Sequence, residues 1–292
     1  MLAQQLVNGL LLGATFCLAA LGFNLVVGAM DKLNFSLGET AMVSALIPAL
    51  LTSEIDLPFW AAFLLALAIG GVLSIVAYVL CFRFVRPDFP NASILSSLGL
   101  GITLTAIVVK VFGSNQQVVP DVFPGTRIQL GPVSLTGSQI VILVLAAGLT
   151  LALYLFLERS RWGTAIRGVS DDAVITGLLG VPVQRVILLT FALSGMLAGA
   201  AGLLTGLAYH AVSPFDGFTV TLTALMTIVI GGLGSVRGAV VAGLAIGMIE
   251  TLTVAFLSAT LRDLMVYILV AVFLLVRPQG LFGRNAGVLE RV

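Results

Sequence analysis

Stretches of membrane-spanning length dominate this chain, and they leave it little choice of fold. Apolar runs occupy residues 6–29, 59–81, 92–112, 138–157, 186–208, 218–233, 239–258 and 264–276, with a shorter one at 41–52. A bilayer core about 30 Å thick takes about 20 apolar residues per helical crossing. Inside it every backbone N–H and C=O must be satisfied within the protein, which selects helices. Only 9% of the residues are charged, against about 25% in a soluble domain. The expected fold is therefore all-α, a polytopic membrane helix bundle of about eight or nine segments. It forms one transmembrane domain over residues 1–292. The start, MLAQQLVNGLL, carries no positive charge, so the first run reads as a span and not a cleaved leader.

Two stretches depart from the simple pattern. The break MDKLNFSLGET at residues 30–40 precedes the short run 41–52, and together they suggest one discontinuous helix near residues 30–52. The loop at 114–137 contains TRIQLGPVSLT, whose alternation fits a small β-hairpin about Gly131 and Pro132.

Basic residues orient the bundle. Cytoplasmic loops collect Lys and Arg, and the segment at 158–185 holds Arg159, Arg161, Arg167 and Arg185. With this loop in the cytoplasm and nine crossings, eleven basic residues lie inside; Lys110, Arg127 and Arg262 lie outside. The C-terminus is then cytoplasmic. Eight crossings would move the N-terminus to the other side.

Gly9 and Gly13, Gly195 and Gly199, Gly202 and Gly206, and Gly243 and Gly247 are each spaced to share one helical face. Such pairs let two helices approach closely.

Catalytic chemistry finds little support. The lone histidine, His210, lies in a short loop, and Cys17 and Cys81 lie in or at the end of apolar runs. No metal site is expected. The two lysines do not sit in a phosphate-loop motif, and GGLGSVRG at 231–238 reads as a tight turn between helices. No basic tract invites nucleic acid. Charge inside apolar runs is costly and marks candidate sites. Glu250 either hydrogen-bonds a neighbouring helix or lines a pathway, and Asn34, Ser36 and Glu39 form a polar interruption that could line it too.

The 158–185 loop has its own local structure. Ser170 reads as an N-cap, with Asp171 and Asp172 at the positive end of a short helix. Val174, Ile175, Leu178 and Leu179 group on one side, and Gly180 stands where a left-handed C-terminal cap is wanted, just before Pro182. An apolar face in water needs a partner, supplied by another protein or by the chain's own membrane domain.

At NFSLGE (34–39), the stretch 159–204, IGGLGSVRGAVVAGLAIG (230–247) and RPQGLFGR (277–284), the chain resembles the permease subunits of ABC importers, specifically the Liv-type branched-chain amino acid family and its LivH-like branch. The likeness runs through nearly the whole chain. It implies a partner permease of the LivM-like kind, two cytoplasmic ATPase subunits that carry ATP and magnesium, and an extracytoplasmic substrate-binding protein. It implies no cofactor on this chain, no enzymatic activity of its own, and a place among the lipids of a bacterial or archaeal cytoplasmic membrane. Residues 170–180 then match the coupling helix that meets the ATPases. Family members commonly carry histidine in the first motif where this chain has Leu37. The competing reading is a proton- or sodium-coupled secondary transporter, which also uses broken helices and buried carboxylates.

Overall fold

The computed structural model describes residues 2–85, 91–119, 127–130, 133–277 and 280–282. Among these, seven helices are long and apolar enough to cross a membrane. They are α1 (Leu2–Met30), α3 (Phe59–Ala77, continued by a π-helical turn to Phe82), α4 (Ala92–Phe112), α5 (Gly137–Arg159), α8 (Val183–Tyr209), α10 (Val236–Phe256) and α11 (Arg262–Val276, entered through the turn Ala259–Leu261). Two more pack among them. Helix α2 (Leu37–Ile55) carries Glu39 and Glu54, and α9 (Asp216–Gly231) has only 16 residues. The difference between seven and the eight or nine expected lies in these two. Two short helices, α6 (Arg161–Asp171) and α7 (Ala173–Leu178), fill the 158–185 loop.

The core is built round α1 and α8. The most apolar window of α1 is 83% buried, against 11% for α11 and 22% for α4 and α5, so those three form the rim. The paired glycines are where backbones meet. Gly9 and Gly13 of α1 abut Met248 and Leu244 of α10, and Gly247 lies against Gly13. Gly195 and Gly199 of α8 take Gly70 and Ala66 of α3, while Gly202 takes Ala41 of α2. Buried hydroxyls bond backbone carbonyls at several of these contacts. Ser194 Oγ donates to Gly22 O at 2.6 Å, and Thr190 and Ser44 bond carbonyls one turn back.

The expected interruption is real and has an unexpected course. Asp31 ends α1 in a left-handed conformation (φ 51°), and residues 31–36 are non-helical. Near its end, α1 touches the α9–α10 turn, where Asn24 Oδ1 accepts from Gly234 N at 2.7 Å. Yet Gly38 already lies against Thr221 and Gly217, ten and fourteen residues from the end of α9 at Gly231 and so about 15–20 Å back along it. The linker climbs into the bundle, and α2 starts at depth. Non-helical backbone there is tolerated because protein surrounds it.

Short strands cap one end. β1 (Gln117–Val118) pairs antiparallel with β4 (Ala211–Val212), and β2 (Arg127–Leu130) with β3 (Val133–Thr136) in the register Leu130–Val133. That is the hairpin expected from the alternation; its turn, Gly131–Pro132, lies outside the described residues. Gln4 bonds Ser134 of this hairpin through both its side-chain atoms. The start of the chain therefore sits at the end opposite the α6–α7 loop. Leu281 N and Phe282 N donate to Ile230 O and Gly231 O at 2.8 and 3.0 Å, which places them at the α6–α7 end. Gly232 (φ 101°) and Gly234 (φ 80°) make GGLGSVRG the tight turn expected.

A side chain at Gly70 would meet the carbonyl of Gly195, whereas one at Gly148 meets nothing within 4 Å. Gly70→Val should cost on the order of 1–3 kcal/mol of stability. Gly148→Ala should be neutral or stabilising. Thermal unfolding of the detergent-purified protein would check both.

Candidate functional site

The α6–α7 segment is tied down at its start. Ser160 Oγ accepts from Gly163 N at 2.8 Å to cap α6. Arg167 reaches back to Leu157 O at 2.7 Å, tying α6 to the end of α5. One expectation needs correcting. Ser170 is not an N-cap but lies within α6, and Asp171 is that helix's last residue. The chain kinks at Asp172 (φ −159°, ψ 110°), whose Oδ1 accepts from Val174 N and Ile175 N at 2.8 and 2.9 Å. The cap thus falls on the second aspartate, because α6 runs on through Ser170 before the backbone turns. Gly180 is left-handed (φ 84°) as expected.

Only Thr176 of α7 is buried. Val174, Ile175, Leu178 and Leu179 are 74%, 57%, 83% and 78% exposed. The chain's own membrane domain does not cover this face.

Within the bundle, the sequence candidates split. Asn34, Ser36 and Glu39 come together, all buried. Asn34 Oδ1 accepts from Ser36 N and Ser36 Oγ at 3.2 and 2.7 Å, which folds the linker into a turn. Phe35 N donates to Ser97 Oγ of α4 at 3.1 Å, and Gly38 N to Thr221 Oγ1 of α9 at 3.0 Å. Asn34 Nδ2 and Glu39 Oε2 have no hydrogen-bond partner among the described residues. Leu37 is buried beside them. The carboxylate of Glu39 is wedged between Gly101 of α4 and Gly217 of α9, where a larger residue would collide with it.

Glu250 stands elsewhere. Its Oε1 lies 3.1 Å from Arg262 Nε and 3.5 Å from the Tyr209 hydroxyl, which donates to it. Arg262 also bonds Asp263 at 3.3 Å. This cluster borders a cavity of about 300 Å³ among α1, α2, α8, α9, α10 and α11, which Asp216 also lines. Sequence reading missed Arg262, Tyr209 and Asp216 as site residues, since each sits at a run boundary and reads as an ordinary end charge or end aromatic. The first turn of α9 links the two regions: Asp216 faces the cavity while Gly217 meets Glu39.

Comparison with known proteins gives a consistent picture. Residues 5–276 match the model of a family described as the permease component of the branched-chain amino acid transport system. The chain is 34% identical to the high-affinity branched-chain amino acid permease LivH of Salmonella typhimurium, over 96% of this chain and 95% of that one. It is 31% identical to BraD of Pseudomonas aeruginosa, a high-affinity branched-chain amino acid permease, with the same coverage. Among solved structures, PsaBC from Streptococcus pneumoniae in complex with Fab shares the fold. Its TM-score is 0.52 at 14% identity, over 95% of this chain and 92% of that one.

Removing the cap should loosen α7 alone. Asp172→Ala should cost about 1 kcal/mol locally, seen as roughly fivefold faster amide exchange at residues 173–179. Ser170→Ala should leave that exchange unchanged.

Proposed function

Because the chain belongs to the family of permease components of branched-chain amino acid transport systems, we propose that it is the LivH-like permease subunit of an ATP-driven importer of branched-chain or related amino acids. It forms half of the translocation path with a LivM-like partner. Two ATPase subunits, which carry ATP and magnesium, dock on it from the cytoplasm, and an extracytoplasmic binding protein delivers the substrate.

The observation that carries this reading is the uncovered apolar face of α7. It lies at the end of the bundle that holds Arg159, Arg161 and Arg185, so it stands outside the hydrocarbon, where lipid tails do not cover it. Four exposed apolar side chains on a pinned short helix fit a pocket on a protein. Basic residues concentrate at this end, which makes it the cytoplasmic one and the opposite end, with the N-terminus and the hairpins, external.

The fold gives displacement of α7 a route inward. The helix is joined by α6 to the end of α5 and by Gly180–Pro182 to the start of α8. Along α8, Gly195, Gly199 and Gly202 press on α3 and α2, and α2 begins at the buried break with Asn34, Ser36 and Glu39. A push from the ATPases therefore reaches the non-helical segment at membrane depth, where backbone can rearrange without breaking a helix. These three residues line or gate the path. A proton- or sodium-coupled carrier needs no docking helix, and uptake by this chain alone in an ion gradient would support it.

Val174→Asp, Ile175→Asp and Leu178→Asp together should leave expression intact. They should cut substrate-stimulated ATP hydrolysis and recovery of ATPase subunits with the complex at least tenfold, about 1.4 kcal/mol of coupling. Normal assembly and hydrolysis in this variant would refute the docking assignment.

A further inference from the structure

The cavity beside Glu250 has a chemistry that the family match does not assign. We infer that it is a transit site for a free apolar α-amino acid, held by its ammonium and carboxylate groups between Glu250 and Arg262 with its side chain against apolar walls. This rests on the importer reading above.

Volume sets the size of the ligand. At about 300 Å³ the cavity is at the bottom of the range for small-molecule sites, enough for one amino acid. The walls set its character. Phe16, Met42, Ala45, Val220 and Val266 come from α1, α2, α9 and α11. They make a surface for an aliphatic side chain and offer it no hydrogen bond.

Charge sets the head group. Arg262 faces the cavity together with Glu250, Asp263 and Asp216, three carboxylates to one cation. A zwitterion adds no net charge, but its ammonium can sit against these carboxylates while its own carboxylate meets Arg262; a simple anion would face mainly like charge. No three of these groups converge as a metal site would require among the described residues. The pair also has bonding capacity to spare. Arg262 spends Nε on Glu250 and Asp263 and Nη1 on the Tyr209 hydroxyl, the last at 3.4 Å. Glu250 spends Oε1 on Arg262 and Tyr209. No hydrogen bond among the described residues uses Arg262 Nη2 or Glu250 Oε2. A zwitterion supplies one acceptor and one donor for these two free edges, so it can enter without first undoing the pair.

Position fits transit. A second cavity of about 380 Å³ shares Tyr209, Glu250 and Arg262 with the first and is also lined by Asn8, Gln139 and His210. The ion pair thus borders both cavities near the end opposite α7. A ligand that bridges its charges can pass from one to the other while both charges stay paired.

The test uses the detergent-purified permease assembly, without its binding protein, and thermal unfolding in about 10 mM ligand. L-leucine should raise the midpoint by several degrees. The same concentration of 3-methylbutylamine, which lacks the carboxylate, or 4-methylpentanoate, which lacks the ammonium, should not. No shift with L-leucine, or an equal shift with either analogue, overturns the proposal. The pair's structural role is separated by exchanging its charges. Glu250→Gln should lower the midpoint, and Glu250→Arg with Arg262→Glu should recover it without recovering protection by L-leucine. Recovery of both would reduce the pair to a tie between helices. Ala45→Phe fills the cavity without touching a charge and should abolish protection; retained protection there also overturns the site. If the complete wild-type transporter imports no branched-chain amino acid, the importer reading fails, while the analogue series still decides whether the cavity takes a zwitterion.

Discussion

Backbone-to-backbone contact between helices is the condition on which everything else in this bundle depends. In lipid, burying apolar side chains against one another gains little over leaving them in hydrocarbon, so association rests on close packing and a few interhelical hydrogen bonds. Here the approach occurs where glycine removes the intervening side chain: α1 on α10, α8 on α3 and α8 on α2. These contacts draw α1 and α8 into the interior and leave α4, α5 and α11 on the rim. They also bring the buried start of α2 within reach of α9, so the polar linker can be satisfied by Ser97 and Thr221.

Much of this was legible in the chain, for identifiable reasons. Lipid imposes a length and a polarity on each span, so the long helices stand out as runs. Glycine spacing revealed contact faces, since a four-residue interval returns to the same side of a helix. The hairpin followed from alternation about Gly131 and Pro132. The division of the 158–185 loop was harder to see. Ser170 and Asp172 are both good caps, and only the backbone turn at Asp172 decides between them. The climb of residues 31–36 was also hidden, because a polar hexapeptide looks the same on a surface as inside a protein cage.

The candidate site divided for a different reason. Asn34, Ser36 and Glu39 are neighbours in sequence, so their clustering is a local matter. Glu250 found its partner on the next helix, through a turn that folds α11 back on α10. A charge at the start of a span is normally an interfacial anchor, and Arg262 has that signature; its proximity to Glu250 is a tertiary fact. The α6–α7 end and the Glu250 end thus differ in legibility. The first is built from contiguous residues, and the second is assembled from six helices.

One feature of α9 bears on how the two ends communicate. Its 16 residues make a rod about 24 Å long. Its first turn borders both Glu39 and the cavity, and its last is stitched to Leu281 and Phe282 by two backbone hydrogen bonds. A helix resists compression, so a rod seated at one end answers a sideways push mainly by swivelling. A swivel of about 5° would carry the far tip about 2 Å over that length, a sizeable fraction of the 3.1 Å separation in the Glu250–Arg262 pair. Leverage of this kind would let a small shift near the α6–α7 end be felt at full stroke beside the Glu250 cavity, with no helix melting on the way.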